Sequence, residues 1–410
     1  MRVLVLHNRY RESGGEDSVV RSETEALAAA GHTVLRYERD NREIAGDTGN
    51  SIAMFLSHSR LAAETIWSRK SYREVCTIAR CDRPDVAHFH NTLPLISPSA
   101  HWACKNNGLA VVQTLHNYRL LCPVGTFLRD GQPCESCLGK AIPWPGVVHS
   151  CYRNGRAATG VVAAMLAAHR AIHTWNRTVN VFIALSEFAK AKFVQGGLPA
   201  TKIKVKPNFV HPDPGGDADP SDFALFVGRL SEEKGLRTLM SAWALLGNRI
   251  PLVIMGDGPL QMDLRAQASQ SGLAHVHFGG RAEREKVVAA MKRARFLILP
   301  SECYENFPMA VAEAFACGTP AIVSNGGAAA EIVEHGRTGL HFERGNPAEL
   351  AAKVEWAWNH PARMREMGSA ARAEFRAKYT AERNIKMLLD IYEHAGSYDA
   401  QHIAPICANA

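Results

Sequence analysis

The sequence has no long hydrophobic run. Its longest internal apolar stretch, Ala157 to Ala168, is too short to cross a bilayer. The apolar residues at the start, Met1 to His7, meet Asn8, Arg9 and Arg11 at once. A secretory leader is longer and carries its charges before the apolar stretch, so a cytoplasmic protein without a membrane span is expected. A complete G-x-G-x-x-G is also missing after the first strand, where the chain runs instead to Gly14-Gly15-Glu16. That argues against an NAD-dependent oxidoreductase. No zinc-finger spacing and no aromatic–basic interleaving point to nucleic acid, so no nucleic-acid partner is expected. Acids are slightly outnumbered by bases, 40 to 47, and the formal charge of +7 on 410 residues is a modest basic lean open to anionic partners.

What is present is ordinary for a folded protein: 46% hydrophobic and 21% charged residues. A chain of 410 residues is too long for one core, which predicts two domains. Short apolar runs alternate with helical patterns. In the first half, Val3 to Leu6, Thr33 to Tyr37, Val86 to Phe89, Val111 to Leu115, Val181 to Leu185 and Ile203 to Val205 read as buried parallel strands. Ser18 to Ala30 reads as a helix stopped by Gly31. Residues 207–222, rich in Pro, Gly and Asp, read as a linker. Asp217-Ala218-Asp219 inside it spells a metal-binding D-x-D, but in such a stretch it is read as acidic turn residues.

Alternation restarts with Phe223 to Val227, Leu252 to Met255, Val276 to Phe278, Phe296 to Leu299, Ala321 to Val323 and Leu340 to Phe342. The expected fold is α/β, two doubly wound Rossmann-like domains at 1–206 and 223–379, facing each other across a cleft. A final helix, about 380–396, is expected to pack back on the first domain. Ligands of such sheets bind at the C-terminal strand ends.

The second half carries the densest set of candidate residues. Gly228-Arg229-Leu230 with Lys234-Gly235 puts two cations beside a helix start, where unpaired N–H groups suit phosphate. Gly256, Gly258 and the Gly279-Gly280-Arg281 turn offer close backbone approach, and Arg281 a further cation. Glu305 precedes a helix for which Asn306 is a plausible N-cap and Gly318 a C-cap. Glu313 falls about two turns in and roughly 80° around. Its neighbours Val311, Ala312, Ala314 and Phe315 are apolar, so this carboxylate is expected to need a partner.

This set, with Glu305 to Glu313 in an E-x7-E pattern and Gly326-Gly327, Glu331 and Gly336-Arg337-Thr338-Gly339 beyond it, resembles the retaining family-4 glycosyltransferases of GT-B fold. The resemblance implies that Arg229 and Lys234 hold the diphosphate of a UDP- or GDP-sugar. It implies that Glu305 contacts the transferred sugar with Asn306 and Phe307 helping, and that Glu313 binds the ribose. In the first half it implies that Gly15 lies against the donor phosphate and that His116 sits beside the reacting sugar. Asn117 stands where the family often has aspartate. Glu16, His90 and Asn91 are candidates for the acceptor side. No cofactor is required by this chemistry. A glycan or lipid-linked acceptor is expected, in bacterial-type polysaccharide or glycoconjugate synthesis, and a non-catalytic sugar- or nucleotide-binding protein would share every binding motif.

Two features fall outside that pattern. Cys122, Cys134, Cys137 and Cys151, spaced C-x11-C-x2-C-x13-C, form a candidate structural zinc set, with His149 a substitute ligand and buried thiols the alternative. Arg153 to Arg177 mixes arginines with apolar residues and contains no acid. A basic amphipathic helix there would suit peripheral contact with the inner membrane surface or simple packing in the domain.

Overall fold

A computed structural model of the chain describes residues 1–11, 14–44, 51–216 and 222–402. Asp217-Ala218-Asp219 therefore lies outside the described residues. The chain divides into two compact units. The first holds residues 1–125, 135–206 and those from Asn384 on; the second holds 126–134 and 207–383.

In the first unit β1 (Arg2–Arg9), β2 (Thr33–Asp40), β3 (Val86–Phe89) and β4 (Ala110–Thr114) form a parallel sheet. A short antiparallel hairpin of β5 (Leu128–Arg129) and β6 (Gln132–Pro133) interrupts the series and belongs to the second unit. There Phe127 sets its ring against Tyr304, centroids 6.1 Å apart. With β7 (Val181–Ala184) and β8 (Ile203–Val205) the first sheet runs β2-β1-β3-β4-β7-β8. Strands β3, β4 and β7 are buried at every residue, which is why they read as unbroken apolar runs rather than alternating ones.

The second sheet is β11-β10-β9-β12-β13-β14, again wholly parallel. Its strands are β9 (Ala224–Val227), β10 (Leu252–Met255), β11 (Val276–Gly280), β12 (Phe296–Leu299), β13 (Ala321–Ser324) and β14 (Gly339–Phe342). Its order is that of dinucleotide-binding sheets, whereas the first sheet has only β2 outside β1, the flavodoxin-like order. In both, strand order reverses beside the first strand: at β1/β3 in one, at β9/β12 in the other. Crevices form at the C-terminal ends of such reversal points.

The terminal helix, Ala381–His402, returns to the first sheet. Ile385, Leu388, Ile391, Tyr392 and Ala395 share one buried cluster with Val3, Val5, Val20, Val86 and Val112. The segment read as one basic amphipathic helix is two, Arg156–Ala171 and Thr174–Thr178, broken at His173 with φ +55°. Val162, Ala163, Met165 and Leu166 are buried, so the apolar face is filled by its own domain and is not open to a membrane. Arg170 binds the backbone carbonyl of Leu120 at 2.6 Å. No described helix is long and apolar enough to span a bilayer.

Candidate active site

In the second unit the turn after β9 is drawn tightly onto the end of β12. Gly235, at φ +68°, lies so close to the Pro300 carbonyl that a Cβ would stand 1.9 Å from its oxygen. Only glycine fits both the left-handed backbone and that approach. Gly256 is a second such case: a Cβ would meet the Gly228 carbonyl oxygen at 1.9 Å. The first contact sets the loop carrying Arg229 and Lys234 against the loop that carries Glu305, and the second sets Gly228 against the loop after β10.

The outcome is a short, partly enclosed pair. Lys234 Nζ donates to Glu305 Oε1 at 2.7 Å, and Ser301 Oγ donates to the same oxygen at 2.6 Å. Burial disfavours both charges, but each outweighs it for the other, so the Lys234 pKa is raised and that of Glu305 lowered. Arg229 and Arg281 are exposed, Arg281 immediately beyond β11. The Gly279-Gly280 pair is part of β11 itself rather than a turn after it, and the Gly256 N–H donates to the Gly280 carbonyl at 2.8 Å.

The helix after Glu305 corrects the sequence reading. It spans Met309–Ala316 and is capped at Pro308, not Asn306. A residue preceding proline is kept out of the α region, so Phe307 cannot begin a helix there. Glu305 is thus four residues ahead of the helix, and no helical angle relates it to Glu313. Asn306 and Phe307 are buried, with the Phe307 ring edge-on to Tyr379 at 5.7 Å. Glu313 is half-buried rather than enclosed. Burial raises its pKa, and the charge of Arg284 partly opposes this.

In the first unit the helix expected from Ser18 begins earlier, spanning Gly15–Ala29. Asp17 accepts from the Gly14 N–H at 2.9 Å and closes the first turn. Gly15 and Glu16 are therefore helical. Glu16 accepts a hydrogen bond from Tyr10 Oη at 3.1 Å, and burial raises its pKa. At the β1/β3 reversal, Asn91 Nδ2 donates to the Asn8 carbonyl at 2.8 Å. His90 and His116 meet, Nδ1 to Nε2, at 2.8 Å. Both line a cavity of about 40 Å³ with Gln113, Asn117, Arg119 and Trp175.

Behind these histidines lies a buried polar row. His7 Nε2 and Asp17 Oδ1 are 2.8 Å apart. Glu23 Oε1 lies 3.2 Å from His88 Nδ1 and 3.4 Å from His90 Nε2, and its Oε2 accepts from Lys206 Nζ at 3.1 Å. His88 also bonds Tyr392 Oη and Thr114 Oγ1, each at 2.7 Å. Burial raises the Glu23 pKa, but Lys206, His88 and His90 outweigh it and hold the carboxylate well below its ordinary value. Burial also drives His90 well below its usual range and His116 down to about 3.

Comparison with known proteins joins the two halves. Residues 13–214 match the model described as glycosyltransferase family 4, and residues 211–374 the model of glycosyl transferases group 1. Together the two matches run from residue 13 to residue 374, across both units of the chain. A segment of 161 residues is 39% identical to the D-rhamnosyltransferase WbpZ of Pseudomonas aeruginosa, covering 39% of this chain and 42% of that one. The chain thus spans less than half the length of that curated relative. HepE from Anabaena, in complex with UDP, superposes with a TM-score of 0.67 at 18% identity, over 96% of this chain and 100% of that one. Sucrose-phosphate synthase from Thermosynechococcus elongatus gives 0.68 at 18% identity, over 97% and 99%. These structures are GT-B folds, and this chain shares that fold.

Of the residues read from the sequence, Lys234 with Glu305 and His90 with His116 are brought into direct contact. Glu313 stands apart from Glu305 by the geometry above. Glu23, His7, His88 and Lys206 were missed. One signal for Glu23 existed: it falls on the buried stripe of its helix with Val20 and Leu27.

The acid behaviour of the first domain follows from the buried row. His90, His116 and His101, the last also lowered to about 3 by burial, stay neutral when folded. Unfolded, each takes a proton below about pH 6.5. The unfolded chain then binds more protons, and stability falls by up to about 1.4 kcal/mol per pH unit per histidine. Glu23 adds a further loss below about pH 4.3, where only its unfolded form is protonated. Denaturant midpoints measured from pH 7 to 4 are expected to decline, with a shallower slope between pH 7 and 5 in His90→Gln. A flat wild-type profile would refute the neutral, buried assignment.

Proposed function

We propose that this enzyme is a retaining glycosyltransferase that moves a hexose from a nucleotide-diphosphate sugar to a glycan or lipid-linked acceptor. The observation that carries the reading is the Lys234–Glu305 pair at the β9/β12 reversal point. It sets an ammonium for diphosphate oxygens beside a carboxylate for sugar hydroxyls. A nucleoside diphosphate leaves readily once its developing charge is neutralised, which Lys234 and the Arg229 guanidinium would do. Glu313, on its half-buried helix position, would take the ribose hydroxyls. Gly228, Gly256 and Gly258 would let the donor lie against the backbone, and Arg281 would add charge at the rim. Binding of UDP by HepE supports a UDP-sugar donor; a GDP-sugar is the other candidate.

The first domain would take the acceptor, with His116, His90, Asn91, Glu16 and the backbone at Gly15 on that side. No group in either site is placed as a covalent nucleophile, so attack on the face vacated by the leaving group accounts for retention. A protein that binds the same ligands without turnover is the alternative, and product formation separates the two.

Membrane contact, no longer assignable to the Arg156–Ala171 helix face, is better supported at the preceding segment. Ile142, Trp144 and Val148 are 56%, 57% and 53% exposed, and Lys140 lies 5.8 Å from the Trp144 ring. Residues 136–186 contain no acid. An exposed tryptophan with aliphatic neighbours and an uncompensated basic surround suits the interface of an anionic bilayer. Such contact would place the enzyme at the cytoplasmic face. The four spaced cysteines, with Cys122 and Cys137 buried and Cys134 and Cys151 half-buried, would hold a structural zinc.

Four measurements test these assignments. In a thermal-shift and turnover screen of UDP-, GDP- and ADP-sugars with NAD as control, one nucleotide sugar is expected to stabilise the protein. Lys234→Ala and Arg229→Ala should lower turnover by about 10²; near-normal rates in both would remove the donor-site assignment. Trp144→Glu should abolish co-sedimentation with anionic vesicles while turnover on a soluble acceptor stays the same, and undiminished vesicle binding refutes the patch. Metal analysis should find about one zinc per chain, lost in Cys137→Ser. Zinc-free protein whose melting is indifferent to chelator refutes the metal.

A further inference from the structure

Among the enclosed polar atoms in the buried row of the first domain that lack a hydrogen bond of good geometry are Glu23 Oε1 and His90 Nε2. They face each other at 3.4 Å. The second oxygen of Glu23 is held by Lys206 Nζ, which Asn384 Oδ1 also binds at 2.8 Å. An ammonium at that distance keeps Glu23 ionised, and an ionised carboxylate can only accept. A bare lone pair on His90 Nε2 would face an anionic oxygen at 3.4 Å, so the charge favours the tautomer with hydrogen on Nε2, even though the angle is too bent for a hydrogen bond. A neutral imidazole has a single N–H, so His90 Nδ1 is a bare lone pair. His116 Nε2, 2.8 Å away, must then donate to it. What remains on His116 is an unprotonated Nδ1, and no hydrogen bond to another described residue engages it. The low pKa values that burial imposes on both histidines agree with their neutrality.

We infer that Glu23 and His90, anchored by Lys206, are positioning residues that lock His116 in the tautomer whose Nδ1 accepts a hydrogen bond from a sugar hydroxyl. This rests on the assignment of His116 to the sugar-binding side made above. The polarity of each contact from Lys206 to His116 is set by one charge, so the order does not depend on what His116 meets. A metal is the competing use of the same atoms, since ligand atoms of Glu23, His88 and His90 lie within 4.8 Å of one another. Lys206 already neutralises Glu23, and a divalent cation would be set against a buried ammonium. His88 is moreover engaged on both nitrogens, by Tyr392 and Thr114.

The test is a two-bond proton–nitrogen correlation spectrum of the full-length protein labelled with ¹⁵N-histidine. The His116 signals are identified by their loss in His116→Gln. Wild type should show hydrogen on Nε2 alone, unchanged by a metal chelator. In Glu23→Gln/Lys206→Met, which removes both buried charges together, the acceptor-only group becomes an amide that also donates. The single tautomer should then give way to a mixture, and kcat/KM should fall about tenfold, the scale of one lost hydrogen bond. Hydrogen on His116 Nδ1 in wild type overturns the inference, even if the double variant fails to fold. So does a double variant that folds and keeps the wild-type tautomer, or a spectrum that the chelator alters. Unchanged turnover in His116→Gln would instead refute the sugar-side assignment, and the spectrum separates that failure from failure of the tautomer order.

Discussion

The ion pair between Glu23 and Lys206 is the constraint around which the first domain is arranged. Both side chains are almost wholly buried, 3% and 2% exposed. Enclosing two charges costs several kcal/mol per ion, and the attraction repays it only where geometry and further hydrogen bonds are good. Here the further contacts come from distant parts of the chain: Asn384 of the terminal helix binds Lys206, and His88 of β3 and His90 just beyond it face Glu23. The pair thus ties a helix after β1, the end of β8 and the last helix to one point under the β1/β3 reversal. Removing one partner would leave the other buried and uncompensated, which is far worse than removing both. That asymmetry makes the row rigid, and rigidity there is useful because His116 stands at its outer end.

The second domain reaches its order by a different route. Among its described residues no charged side chain is fully buried, and backbone contact holds it instead. Gly235 against Pro300 and Gly256 against Gly228 leave no space for a side chain, so two loops from non-adjacent parts of the chain are set at backbone distance. Lys234 and Glu305 then meet as a consequence of their loops, and Ser301 fixes the carboxylate further. A cation held this way is oriented in advance, which lowers the reorganisation that stabilising an anion otherwise requires. The two domains share strand-end geometry but differ in what they offer: neutral imidazoles and amides in one, a charged pair in the other.

Much of the fold was legible in the residues. Buried parallel strands are continuous apolar runs, and nearly every such run became a strand within a residue or two: Val86–Phe89, Leu252–Met255 and Phe296–Leu299 are examples. Helix starts were read less well, for local reasons with long reach. Asp17 caps the turn at Gly14 and draws Gly15 and Glu16 into the helix, while Pro308 keeps Asn306 out of the next one. The amphipathic pattern of Arg153 to Arg177 was real, but its apolar side faces the domain, a fact that periodicity cannot supply.

By itself the sequence determined the two-sheet α/β architecture and singled out Arg229, Lys234, Glu305 and His116 as candidates, because these depend on short-range patterns of apolar runs, glycines and charges. Only the tertiary structure decided which of them touch and in what electrostatic state. Lys206 lies 183 residues from Glu23, and Tyr392 lies 304 from His88. Such partners carry no local signature, since what joins them is the crossing of the chain over one sheet and the need of each buried polar group for a mate.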